Sequence, residues 1–163
     1  MGPSRLEDAA RAILLNPSRV PKAPRLGNRQ FILQVWHLPS SDSWMSWTVY
    51  SPWSGMTDKA LVRRTIWNHQ SDREKARTRP TLHSGDAPLD WKQVGKWRAE
   101  LAELVIPLVQ DRALALVGEA NGLRCGDEFL AMEFQWIDRG PAAWKDLVRF
   151  HDRVREACEL LFM

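Results

Sequence analysis

Apolar residues along this chain recur in two rhythms, every second position and every third or fourth, and the changes of rhythm divide it into elements. The cleanest alternation runs from Glu128 to Ile137, with Leu130, Met132, Phe134 and Trp136 on one side and Ala131, Glu133 and Gln135 on the other. Successive side chains of a strand point to opposite faces, so this pattern predicts a half-buried antiparallel strand. Phe31 to Leu38 and Trp44 to Ser51 are rich in aromatic and β-branched residues, and the polar run Pro39-Ser40-Ser41-Asp42-Ser43 between them has the length of a hairpin loop. Phe31, Leu33, Val35 and His37 fall on one side of the first strand, and Ile32, Gln34, Trp36 and Leu38 on the other. On the second, Met45, Trp47 and Val49 oppose Trp44, Ser46, Thr48 and Tyr50. Leu61 to Trp67 supplies a third strand, and Ala113 to Val117 and Leu123 to Cys125 read as short further ones, the last between the turn signals Asn121-Gly122 and Gly126-Asp127.

Helical spacing appears three times. Ser4 and Glu7 stand at capping-box distance ahead of Leu6, Ala9, Ala10, Ile13 and Leu14, which predicts a short helix over about 4–15. Pro17, Pro21 and Pro24 forbid its extension, so residues 16–28 form an extended connector. Asp90 and Gln93 repeat the capping spacing before Trp91, Val94, Trp97, Leu101, Leu104, Val105 and Leu108, a helix that Pro107 ends or kinks near Ile106. After Gly140-Pro141, the stripe Trp144, Leu147, Val148, His151, Val154, Cys158 and Leu161 marks a C-terminal helix of about 20 residues. From Asn68 to Ala87 apolar periodicity is lost, and the stretch reads as a long surface loop.

The order of these elements predicts an α+β fold: one domain over residues 1–163, with 1–28 as helix and connector and 29–163 as body. An antiparallel sheet of about five hairpin-connected strands has two long helices packed on one face, and the strand order disfavours a doubly wound nucleotide fold. A hydrophobic fraction of 44% and charged fraction of 26% match an ordinary globular protein, and no apolar run approaches the roughly 18 residues that span a bilayer. Acidic residues near the N-terminus and only two cysteines, Cys125 and Cys158, point to the cytoplasm and to free thiols. The net charge of +3 is unevenly placed: residues 1–98 hold 16 basic against 8 acidic side chains, and residues 99–163 hold 7 against 12.

Chemistry is sparse. The chain lacks a glycine-rich phosphate loop, His37, His69, His83 and His151 do not share metal-ligand spacing, and Ser84 beside His83 lacks a nucleophile elbow. No cofactor is expected. What remains are nine tryptophans and an arginine-rich segment. Trp36 and Trp44 bracket the hairpin loop, and an indole exposed there is a candidate anchor for a protein partner. If the N-terminal helix or its connector covers that face, the indoles are core instead. Arg64, Trp67, Arg77 and Arg79 belong to residues 63–79, which combine cationic groups with an aromatic plane, the kit for single-stranded nucleic acid. The leading expectation is a non-catalytic protein-binding domain of adaptor or toxin-neutralising type. Nucleic-acid binding through residues 63–79 is the alternative, and a third reading is an enzyme whose site gathers His37, His69 and His83.

Overall fold

The computed structural model describes residues 5–21, 23–52, 59–107, 118–126 and 131–163. Its elements run α1 (Arg5–Leu14), β1 (Phe31–Leu38), β2 (Trp44–Tyr50), β3 (Lys59–Trp67), α2 (His69–Glu74), β4 (Leu82–Asp90), α3 (Trp91–Glu103), β5 (Ala120–Gly126), β6 (Ala131–Ile137) and α4 (Lys145–Glu159). The strands form one antiparallel sheet in the order β4-β3-β2-β1-β5-β6, so the class is α+β as expected, with six strands where about five were expected. The expected strand at 113–117 lies outside the described residues.

The added strand is β4, which occupies part of the stretch expected to be a loop. His83-Ser84-Gly85-Asp86 pairs with Ile66-Thr65-Arg64-Arg63 and makes no turn. The middle of β4, His83-Ser84-Gly85-Asp86, is polar or small, so the strand shows almost no apolar alternation, and its Pro88 is tolerated because one side of this edge strand needs no donors. Asn121-Gly122 is likewise inside a strand. Gly122 pairs with Trp36, and a Cβ on it would overlap the six-membered ring of Trp36 and stand 2.7 Å from the Phe134 carbonyl. This glycine serves close approach of a ring, not chain reversal.

Alternation holds along the central strands and breaks once. Register shifts between Phe31 and Leu33, so Ile32 packs into the main core, while Phe31 lies under the guanidinium of Arg124. A bulge adds one residue and exchanges faces at that point, which reverses the assignment of Phe31 and Ile32 made from spacing alone. The main core joins Leu33, Val35, Trp47, Val49, Val62 and Leu123 to Val94 and Trp97 of α3 and Leu147, Phe150, Val154 and Cys158 of α4. Both long helices therefore cover one face. α3 begins at an Asp90 cap accepting from the Lys92 N–H at 2.8 Å and ends at Glu103, before Pro107.

The opposite face is covered too. Ala10 and Leu14 of α1, with Val20 of the connector, pack on Trp36, Leu38, Trp67 and Leu82. Two sheet side chains fasten the C-terminal end of α1: Ser46 Oγ donates to the Leu14 carbonyl at 2.8 Å and Gln34 Nε2 at 3.1 Å. They satisfy an acceptor that a helix end leaves open.

Candidate functional site

The tryptophans proposed as anchors are placed mainly inside. Trp36 is 1% exposed and Trp67 0%, and only Trp44 of this group is partly accessible. Trp44 meets Trp67 edge-on with ring centroids 4.9 Å apart, and His69 closes the corner at 6.2 and 5.8 Å. The Trp67 indole N–H donates to Asp72 Oδ2 at 2.8 Å, and the Thr81 backbone N–H donates to the same oxygen at 2.6 Å. Burial pushes the Asp72 carboxyl up, but these donors together with Arg77 outweigh it and leave the group below the ordinary carboxylate range. This corner ties β3, α2 and β4 together. A fully covered indole is unavailable to a partner, so Trp36 and Trp67 belong to the packing of the face under α1.

Most arginines of residues 63–79 are spent on carboxylates. Arg63, 1% exposed, donates to both oxygens of Asp86 at 2.7 and 2.8 Å and to the Pro24 carbonyl at 2.6 Å. Arg64 projects to the other face, donates to Glu159 at 2.6 Å and lies 4.4 Å from the Phe162 ring centroid. Arg73 pairs with Glu7, and Arg77 reaches Asp72 at 3.5 Å. Arg79 is exposed. The six candidate residues converge only in part: Trp44, Trp67 and Arg77 meet in the corner around Asp72, while Arg64 is sent to the opposite face by the pleat.

The histidines do not assemble either. His37 and His83 both lie on the side of α3 and α4, but β2 and β3 intervene, and three strand spacings of about 4.8 Å separate them. His69 is on the other side with Trp44. His37 pairs with Asn121 Oδ1 at 2.7 Å. The histidine that sequence spacing left unused, His151, is fully buried, with Nδ1 3.1 Å from Asp152 Oδ1 and Nε2 3.1 Å from the Trp36 carbonyl, and with Trp136 edge-on at 5.0 Å. It pins α4 to β1 and β6. The hydrogen bond from His151, and then the charges of His151, Arg155 and His37, hold the Asp152 carboxyl below its usual value. Among the described residues no three His, Cys, Asp or Glu side chains are gathered as metal ligands, and no helix is long and apolar enough to cross a membrane.

On the sheet itself, the exposed large apolar side chain is Met132 of β6. Strands β4 and β6 are the two edges of the sheet, and they differ. β4 carries Pro88 and the acids Asp86 and Asp90, and the C-terminal turn reaches it, with the Phe162 ring 3.6 Å from where a Gly85 Cβ would stand. Such features are those by which proteins blunt an edge. β6 reads Ala-Met-Glu-Phe-Gln-Trp-Ile, with one charge and no proline, and Met132 is 55% exposed. Among the described residues nothing pairs with its outer side. Beside Met132 a groove of about 520 Å³ opens between α3 and the sheet, walled by Ile32, Trp97, Leu101 and Cys125, with Gln30 and Arg98 as polar members. That volume falls in the range of binding pockets, roughly 300–1,000 Å³. Burial raises the Cys125 thiol, which keeps it protonated and apolar. Comparison of the chain with protein-family models, with curated proteins and with solved structures gave no match.

Proposed function

We propose that this protein is a non-catalytic protein-binding domain that accepts an extended segment of a partner along the outer edge of β6. The carrying observation is the contrast between a blunted β4 edge and a β6 edge that no strand pairs with among the described residues and that adjoins an apolar groove. Strand addition takes affinity from main-chain hydrogen bonds and specificity from pockets for alternate side chains. The open ladder of β6 supplies the first, and the groove beside Met132 supplies the second. The occupant is an extended, alternately apolar segment whose inward side chains enter that groove. Two buried, unpaired cysteines fit a reducing compartment such as the cytoplasm. The carboxylate partners of Arg63, Arg64, Arg73 and Arg77 weigh against nucleic acid as the partner.

The test is selection of ligands from a displayed library of random dodecapeptides by the immobilised full chain, followed by amide hydrogen exchange. Enriched peptides are expected to alternate apolar and polar residues, to slow exchange across Ala131–Ile137, and to lose at least about tenfold in affinity to Met132→Asp. Peptides that protect other strands would overturn the reading. So would β6 amides already protected in the free monomer, or a concentration-dependent dimer through β6, which would make a second copy the occupant.

A further inference from the structure

The face under α1 carries a second concavity, of about 300 Å³, bounded by the turn after α1, the connector and strands β1, β2 and β5. Among the described residues its lining includes Arg29 and Arg124 and neither aspartate nor glutamate. Other arginines of this molecule meet carboxylates: Arg63 with Asp86, Arg64 with Glu159, Arg73 with Glu7, Arg153 with Glu100. Arg29 Nη1 instead donates to the Ser51 carbonyl at 2.7 Å, and the Arg124 guanidinium stacks 5.4 Å from the Phe31 ring centroid. Both contacts hold a guanidinium in place without neutralising it. Glu133, the cross-strand neighbour of Arg124, is engaged by Gln135 instead.

Gln34 lines the same pocket and is 1% exposed. Its Nε2 donates to the Leu14 carbonyl and, at 2.9 Å, to Thr48 Oγ1. A carbonyl only accepts, so the amide is fixed in this orientation and its Oε1 is left buried without a hydrogen-bond partner. An unmet acceptor in a buried site favours a ligand that brings a donor. Tyr50 lines the pocket as well, and burial pushes its phenol up to about 12, so it stays protonated and able to donate near neutral pH.

We propose that this pocket binds a small oxyanion that also carries a hydroxyl donor, with the charged oxygens between Arg29 and Arg124 and the hydroxyl on Gln34 Oε1. Hydrogen phosphate and short 2-hydroxycarboxylates share that chemistry, whereas sulfate and simple carboxylates lack the donor. The surface is separate from β6, so either reading can fail without the other.

The experiment is calorimetric titration of the full chain at low ionic strength and about pH 7 with inorganic phosphate, sulfate, glycerate and propionate. Phosphate or glycerate is expected to bind with a Kd on the order of 1 mM or tighter, at least about tenfold better than its counterpart without a donor. Whichever of the two binds more tightly identifies the source. Arg124→Gln and Arg29→Gln, checked for folding by the near-ultraviolet circular dichroism of the tryptophans, should each weaken binding at least about tenfold. Arg25→Gln, on the exposed connector outside the pocket, should leave it unchanged. The proposal is overturned by absence of binding to all four anions, by sulfate equal to phosphate together with propionate equal to glycerate, or by a folded Arg124→Gln or Arg29→Gln protein that binds like the parent.

Discussion

Toward α3 and α4 the sheet presents Leu33, Val35, Val49, Val62 and Leu123, all buried and aliphatic, whereas toward α1 the same strands present Gln34, Ser46, Thr48, Arg63 and Thr65, buried as deeply. The first face is held by non-directional burial, which needs matching volume but no particular bonds. The second must be satisfied bond by bond, because a buried polar atom without a partner costs about 1–3 kcal/mol. That face does not balance: Gln34 Oε1, Trp36 Nε1 and Thr65 Oγ1 are buried without hydrogen-bond partners. Its arrangement is therefore more specific and more exacting than that of the aliphatic face, and it is where a pocket with unmet groups is found.

One deletion on each face tests this difference most directly. Phe150→Ala should cost about 3–5 kcal/mol in chemical denaturation, because it leaves a cavity under α4. Arg63→Met should cost about 3 kcal/mol, since it strands Asp86 and the Pro24 carbonyl. The faces then separate in the rescue: adding Asp86→Leu to Arg63→Met should return most of the loss, while no second polar change returns that of Phe150→Ala. A double mutant as unstable as the sum of its parts would show that the ion pair is not the source of the cost.

Gly122→Ala probes how tightly the indole of Trp36 lies on the sheet, and the clash with its ring and the Phe134 carbonyl should cost about 1–3 kcal/mol. Gly95→Ala, in α3 with nothing within 4 Å of its added methyl, should instead stabilise by about 0.5–1 kcal/mol. Thermal unfolding of the pair checks both signs.

Alkaline titration contrasts the two faces without a substitution. Burial, helped by Glu159, pushes the Cys158 thiol up to about 12 on the aliphatic face, and burial pushes Tyr50 up to about 12 on the polar one. A group whose folded pKa is raised keeps its full contribution below its unfolded value and loses it as pH rises toward the folded value. Stability should therefore fall between about pH 9 and 12 from Cys158, and from about pH 10 to 12 from Tyr50, by at most roughly 1.4 kcal/mol per pH unit for each group. Denaturation measured across that range should lose the earlier component in Cys158→Ala and the later one in Tyr50→Phe.

The aliphatic face was largely readable from spacing, because Leu33 and Val35 follow strand alternation, while Leu147, Val154 and Cys158 fall at helical intervals, and all of them pack together. What spacing missed has one physical cause in each case. β4 escaped because its middle, His83-Ser84-Gly85-Asp86, is polar or small and prints no apolar pattern. Phe31 and Ile32 were exchanged because a bulge shifts parity without leaving a sequence mark. Gly122 resembled a turn because a glycine that makes room for a distant ring is indistinguishable, locally, from one that reverses the chain. The site residues fared differently again: Trp36, Trp67 and Arg63 to Arg77 were chosen for side-chain type, and availability depends on neighbours far along the chain, such as Leu14 over the sheet and Glu7 on Arg73.

The α+β class, the hairpin of β1 and β2 and both long helices were already determined by the sequence, because they follow from local periodicity and from solvent excluding apolar surface. The stripes were only partly legible, with Val105 91% exposed beyond α3 and the fully buried Phe150 of α4 off the expected positions. The packed molecule alone settled which indoles are covered and which guanidiniums meet carboxylates. Those depend on contacts between residues distant along the chain, and no local pattern encodes them.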